Sequence, residues 1–355
     1  MGLPEISISF TSLAVSAIQR SQRGIVALIL QDNTGNFDSK EYKAITEVET
    51  TEWTPANLDL IQKTFLGVPS KIIVERIAIG SGETPADYAE ALNRLAGKRW
   101  NYLAAPKATT TDVTKIATQI KTWRDANKKT FKAVLPNSAN DHEGIINFTT
   151  GGIVVGETIY TASDYTARIA GILASLPLTR SSTYYVLPEV ETITESVDPK
   201  ADIDAGKLIL INDGEKIKIG RGVNSLTTLS EGKTADFTKI KIIEGHDLVQ
   251  DDISRTFSDN YVGKVNNSYD NQALFITAVN SYLRRLEGDV LDPAADNRAT
   301  VDIEAQRLAW EDIGEDTTSW NDQKVKETTF QAKVFLGGAL KFLDAVEDLQ
   351  LKIAV

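Results

Sequence analysis

The chain has 355 residues, 42% apolar and 25% charged, the profile of a folded globular protein long enough for about two domains. Asp and Glu number 49 against 38 Lys and Arg, a formal net charge of −11. That charge repels phosphate backbones and argues against a nucleic-acid partner, while the absence of cysteine excludes disulfides, thiolate metal sites and cysteine nucleophiles and fits a reducing cytoplasm.

The opening residues alternate, with Ile6, Ile8 and Phe10 on one face and Glu5, Ser7 and Ser9 on the other. That is the period of a half-buried strand. No basic stretch leading into a long apolar core accompanies it, so no secretory leader is expected. The apolar run Ile25 to Leu30 is far shorter than the ~20 residues of a membrane span, so no membrane insertion is expected. Synthesis in the cytoplasm and release by lysis follow as expectations.

Gly24 to Leu30 reads as a strand buried on both faces. From there to about Leu187 helices alternate with strands, the pattern of an α/β domain. Thr54-Pro55 and Thr84-Pro85 each place a capping residue before proline and predict helix starts. The helices so opened carry Leu58, Ile61 and Phe65, then Tyr88, Leu92 and Leu95, and stop at Gly67 and Gly97. Strands are predicted at Ile72–Ile79, Trp100–Ala104 and Phe131–Leu135, with a helix through Val113, Ile116, Ile120 and Trp123 before the third. The run Gly152–Tyr160 and a helix through Tyr165, Ile169, Ile172 and Leu176 complete this region.

A second region starts near Asp198. Lys207–Asn212 and Lys216–Gly220 flank Asp213-Gly214, a hairpin signal. Helical spacing follows through Val249, Ile253, Phe257 and Tyr261, then Phe275, Val279, Tyr282 and Leu286, then Ile303 to Trp310. Strands are predicted again at Ala332–Leu336 and at the alternating run Leu349, Leu351, Ile353 and Val355. No short repeat is present. Termini fray unless something holds them, so an apolar-faced terminal strand pairs either within its own sheet or at the edge of a neighbour's. Head-to-tail pairing of that kind builds open helical lattices.

Catalytic and cofactor motifs are absent from the sequence. Gly151-Gly152 through Gly156 and Gly220-Arg-Gly222 match no phosphate loop and read as turns. Gly80-Ser-Gly82 before Thr84-Pro85 is the best anion-loop candidate, yet it lacks a following lysine. An α/β enzyme binding a phosphorylated ligand near Gly80–Thr84 is therefore the alternative reading. The histidines, His142 in a polar loop and His246 just before a helix, suit surface or capping roles better than metal or triad chemistry. Asp251-Asp252 reads as a pair at a helix start, placed there by the helix dipole. No catalytic residue, metal ligand or cofactor is assigned.

Several stretches, in order, resemble one family, the contractile tail sheath proteins of phages and R-type bacteriocins. They are Gly2 to Phe10 with Arg23-Gly-Ile-Val-Ala27, Asp204 to Gly214 with Arg221-Gly-Val-Asn-Ser-Leu-Thr-Thr228, and Val334 through Ala345-Val-Glu-Asp348 to Ile353. Ser225 stands where the family usually has Thr. The resemblance implies an N-terminal arm (1–22), an inserted outer α/β domain (23–197) and a C-terminal α+β core domain (198–355), so the fold class is α/β, α+β overall. It also implies a structural, non-enzymatic subunit forming hexameric rings stacked helically around an inner tube, with baseplate and tail terminator proteins as further partners. Ile6, Ile8, Phe10, Leu349, Leu351 and Ile353 would belong to strands exchanged between subunits, and Arg284 and Arg285 would face the tube unless they pair with Glu287 and Asp289. The chain is compact for that family, which points to a simple tail or bacteriocin particle.

Overall fold

The computed structural model describes residues 18, 23–79, 86–230 and 232–353. The expected strand at Ile6–Phe10 and the Gly80–Thr84 loop lie outside these residues. The chain divides into two units: the described residues of Gln22–Asp247 together with Asp344–Val355, and Ile18 with Leu248–Leu343.

The first unit is built on β1 (Ile25–Gln31), whose first six residues are buried without exception. A strand with no face to water must be covered on both sides. Its alternate residues accordingly enter two separate cores. In chain order β1 is followed by β2 (Ser39–Tyr42), α1 (Pro55–Phe65), β3 (Lys71–Ile77), α2 (Tyr88–Ala96), β4 (Tyr102–Ala104), α3 (Thr110–Asp125), β5 (Lys132–Pro136) and β6 (Ile145–Phe148). The hairpin β7 (Ile153–Val155) and β8 (Thr158–Tyr160) leads into α4 (Ala162–Ser175), α5 (Pro199–Asp204) and β9 (Lys207–Leu208). Val26, Leu28 and Leu30 pack with Leu60 and Ile61 of α1 and with Ile169, Ile172 and Leu173 of α4. Ile25, Ala27 and Ile29 pack with Leu92 and Leu95 of α2 and with Ile116 and Ile120 of α3.

These strands form one seven-stranded sheet in the order β2-β3-β1-β4-β5-β6-β9. Every pairing is parallel except β2 with β3. On one face α1 and α4 meet at two glycines. A Cβ on Gly171 would lie 2.2 Å from Thr64 O, and one on Gly67 would lie 2.1 Å from the Gly171 carbonyl carbon. Gly67, expected only as a helix stop, therefore also permits the close approach.

Several sequence expectations are corrected. Thr54 occupies the position before α1 but its side chain caps nothing there; its hydroxyl instead donates to Asp32 Oδ2 at 3.0 Å. The second helix is capped by Asp87, which accepts from the amides of Ala89 and Glu90, rather than opening at Thr84. The run Gly152–Tyr160 forms the β7–β8 hairpin, and Gly156, read as a turn residue, sits at its turn with φ +57°. Lys207–Leu208 does not belong to the expected hairpin, since β9 pairs with β6 and extends the main sheet. The hairpin proper is β10 (Leu210–Asn212) with β11 (Ile217–Ile219), turning at Asp213-Gly214 as expected.

Helix α6 (Ile240–Asn260) begins well before the predicted position, so His246 and the pair Asp251-Asp252 lie inside it. Asp252 is buried and accepts from Tyr282 Oη at 2.7 Å, so packing rather than a helix dipole explains its place.

In the second unit Tyr282 lies on α7 (Tyr269–Leu286), and Phe257 of α6 and Tyr261 just after it pack on Phe275 with ring centroids 5.1 and 4.7 Å apart. Then come β12 (Arg298–Val301), α8 (Ile303–Glu311), α9 (Asp322–Glu327) and β13 (Leu336–Ala339). β12 and β13 pair antiparallel. The predicted strand Ala332–Leu336 is thus displaced toward the C-terminus, because the chain turns at Gln331 with φ +42°. Among the described residues no helix is long and apolar enough to cross a membrane.

Asp32, fully buried at the end of β1, ties α1 to the sheet. Its carboxylate accepts from the Thr54 amide at 2.9 Å, Asn57 Nδ2 at 2.7 Å and the Thr34 amide at 2.8 Å. Burial alone would raise its pKa, but these hydrogen bonds outweigh it and hold the group at about 2 against an ordinary 3.8. A depressed carboxylate contributes stability above its unfolded pKa and loses it as pH falls. The expected loss between pH 4 and pH 2 is about 2–3 kcal/mol. Urea titrations should show Asp32→Asn less stable at pH 7 and less sensitive to acid over that window; equal pH slopes would refute the role.

Candidate functional site

Leu349, Leu351 and Ile353 are 87, 71 and 74% exposed. From Asp344 to Ile353 the described chain has neither helix nor strand and makes no backbone-to-backbone hydrogen bond. The alternating run therefore presents an apolar face with no partner strand among the described residues. Single exposed apolar residues are ordinary, whereas these three share one side of an extended segment.

Just before this run the chain is held by side chains. Three segments are laid side by side by backbone bonds. The amide of Tyr184 donates to Ile219 O at 2.8 Å, the amide of Ile219 to Tyr185 O at 2.9 Å, and the amide of Ile240 to Gly222 O at 3.0 Å. This brings Ser181 and Thr183, Arg221, and Lys239 together. Gly222 donates its amide to Thr183 Oγ1 at 2.9 Å, and a Cβ there would lie 2.4 Å from Ser182 Oγ. Into this socket the acidic stretch inserts Glu347, whose Oε1 accepts from Thr183 Oγ1 at 2.5 Å and Ser181 Oγ at 3.0 Å. Arg221 pairs with Asp348 at 2.6 Å, and Lys239 pairs with Asp344. Burial pushes the nearby Lys241 ammonium down while Asp344 and Glu347 pull it up, and burial prevails. The Arg221-Gly222 pair, seen in the sequence only as part of a motif, is thus the wall of this socket.

The same motif continues inward. Asn224 Nδ2 donates to Phe237 O at 2.7 Å, and Ser225 Oγ donates to His142 O at 3.0 Å. His142 is buried, not on the surface as expected. Its Nδ1 accepts from the Gly144 amide at 3.0 Å, so the proton of the neutral ring sits on Nε2 and points to Asp125 Oδ1 at 3.2 Å. Burial pushes its pKa down, against the pull of Glu143 and Asp125. Asp125, His142 and Glu143 have the ligand spacing of a metal site. Both ring nitrogens are already used, however, and Glu143 is paired with Lys233 at 2.9 Å. His246 packs its ring on Phe237, centroids 4.8 Å apart.

The first turns of α6 carry a buried ionic network. Asp247 accepts from Arg124 at 2.9 Å and from Lys132, and Glu244 pairs with Lys132 at 3.0 Å and with Arg23. Tyr102 Oη donates to Glu244 at 2.6 Å. Burial pushes Lys132 down to about 8 although Asp247 opposes it. Burial likewise opposes ionisation of Asp247, but Lys132 and Arg124 outweigh it and lower its pKa. Such a network fixes a helix to a sheet and offers no open position to a substrate.

In the second unit Arg284 and Arg285 occupy the last turn of α7. Neither pairs with Glu287 or Asp289, contrary to the simpler expectation; Arg285 donates to Ile18 O at 2.9 Å. The β12–β13 sheet has unequal edges. Ala299 of β12 gives its amide to Asn280 Oδ1 at 2.8 Å and accepts from Asn280 Nδ2 at 3.0 Å. Ladder bonds therefore run through Arg298 and Thr300, leaving the backbone groups of Leu336 and Gly338 on the outer edge of β13.

Two family models match the chain, the phage tail sheath protein central domain over residues 81–225 and the phage tail sheath C-terminal domain over residues 232–355. A tail sheath protein of Clostridium phage phiCD119 is 38% identical, and the match covers 99% of both chains. Among solved structures, the sheath tail protein of Desulfitobacterium hafniense superposes with a TM-score of 0.70 at 18% identity, covering 84% of this chain and 94% of that one. The helical sheath of the anti-feeding prophage in its contracted state superposes with a TM-score of 0.71 at 13% identity, covering 100% and 99%.

The α6 network yields a stability test. Removing Asp247 takes from the buried Arg124 its 2.9 Å carboxylate partner and leaves Lys132 with Glu244 alone, at a cost of about 3–5 kcal/mol. Thermal unfolding should place Asp247→Ala far below the parent, with Asp247→Asn between; a midpoint unchanged in Asp247→Ala would show the network to be dispensable.

Proposed function

The chain belongs to the phage tail sheath family of contractile-tail structural proteins, and from that membership we propose that it polymerises as helically stacked hexameric rings around an inner tube. The rings twist and widen and the lattice shortens, driving the tube through a target envelope. The supporting observation is the unpartnered run Leu349, Leu351 and Ile353. Burying a side chain of this size stabilises by about 1.5–3 kcal/mol, and an added strand also satisfies open backbone groups. The open edge of β13 in a neighbouring subunit supplies such groups, whereas Asn280 occupies the edge of β12. Ile6, Ile8 and Phe10 form the second link.

In this reading residues 1–22 are a linking arm, 23–197 an outer domain and 198–355 the sheath core. The subunit is not an enzyme and takes no cofactor. Contraction draws on a difference of a few kcal/mol per subunit between two lattices, summed over many copies. Baseplate and terminator proteins close the ends. The subunit is made in the cytoplasm and leaves by lysis. Arg284 and Arg285 face the tube, holding the extended lattice through contacts that salt weakens.

Two tests follow. Leu349→Asp with Leu351→Asp alters only exposed side chains, so the thermal midpoint should hold while cylinders vanish from negative-stain images; cylinders at parental abundance would sink the strand-exchange reading. Arg284→Glu with Arg285→Glu should reduce co-sedimentation with the tube protein roughly tenfold at low salt. Co-assembly equal to the parent would discard the tube contact.

A further inference from the structure

The carboxylates of the stretch Asp344 to Asp348 are not equivalent. Asp348 is 79% exposed, and an ion pair in that setting holds little against water. Glu347 is 6% exposed. Two hydroxyls donate to its Oε1, while Oε2 has no hydrogen-bond partner and stands 3.8 Å from both Arg221 Nε and Lys239 Nζ. Val346 beside it is 97% exposed, so apolar packing by that neighbour does not hold the stretch in place. A carboxylate withdrawn from water stays ionised only where donors and opposite charge surround it, and this socket provides both.

We infer that Glu347 is the anchor that sets the register of the linking strand. Strand side chains alternate, so in an extended chain Glu347, Leu349, Leu351 and Ile353 share one side, and Asp348, Gln350 and Lys352 the other. A slip of one residue would present Gln350 and Lys352 to the neighbour's apolar surface. The buried carboxylate defines both the point at which the chain leaves its unit and the side its apolar residues face. It also carries the tension that a neighbour exerts along the strand. The inference rests on the strand-exchange reading above.

The natural chain has no cysteine, so a nitroxide at Val346→Cys, a fully exposed position, reports on the stretch alone. In the unassembled full-length protein Glu347→Ala should raise the label's mobility several-fold, and Ser181→Ala with Thr183→Val, which removes the donors instead, should do the same. Both variants should need about tenfold more protein to form cylinders. Label mobility unchanged in both overturns the anchor; a freed label with polymerisation at the parental concentration overturns its register role. The Leu349→Asp, Leu351→Asp chain separates the two readings. It should keep the label as restrained as in the parent while losing cylinders, and if it still polymerises the strand-exchange reading fails although the anchor is judged independently by the label.

Discussion

Six of the seven residues of strand β1 are apolar and buried, and the architecture of the larger unit follows from that constraint. Its six buried residues divide between two cores. Each core needs a layer of helix, which α1 with α4 and α2 with α3 provide. The parallel pairing of β3, β1, β4 and β5 is the form a doubly covered sheet takes, since the returning segments lie on its faces. Once α4 must lie against α1, only glycine fits at positions 67 and 171. Loss of either would force apart the helices that shield half of the strand.

The elements with a strong period were legible in the sequence. β1, β3, α1, α3, α4, α7 and the Asp213-Gly214 hairpin fall where hydrophobic spacing and turn residues place them. Other elements were hidden for physical reasons. β2 is polar at an edge and β6 holds a buried Asn147 whose side chain accepts from the Ser138 amide, while β9, read as part of the hairpin, pairs with β6 instead. The start of α6 was missed because Glu244 and Asp247 look like surface charges in a linear reading, whereas buried cations from α3 and β5 receive them. The apolar alternation of Leu349 to Ile353 was visible, but the socket before it was not. Ser181 and Glu347 are separated by 166 residues, and no local pattern announces such a meeting. The motif Arg221-Gly222 signalled a family; its physical task became apparent only with the acidic stretch beside it.

Polar interior groups are handled differently in the two settings. Within the larger unit the polar groups of Asp32, Glu244, Asp247 and His142 each find partners. Leu349, Leu351 and Ile353 have none within the described chain. In the strand-exchange reading proposed above, assembly would be the last step of folding, completed by a second molecule through the same backbone pairing and side-chain burial that built the sheet.

Asn280 matters in this light. By giving both its amide groups to Ala299 it seals one side of a two-stranded sheet whose other side, at Leu336 and Gly338, has no backbone partner among the described residues. A sheet open on both sides would be a template for runaway stacking among identical copies at high concentration. In the strand-exchange reading proposed above, a single side-chain amide would leave the unassembled subunit only one side of that sheet to offer.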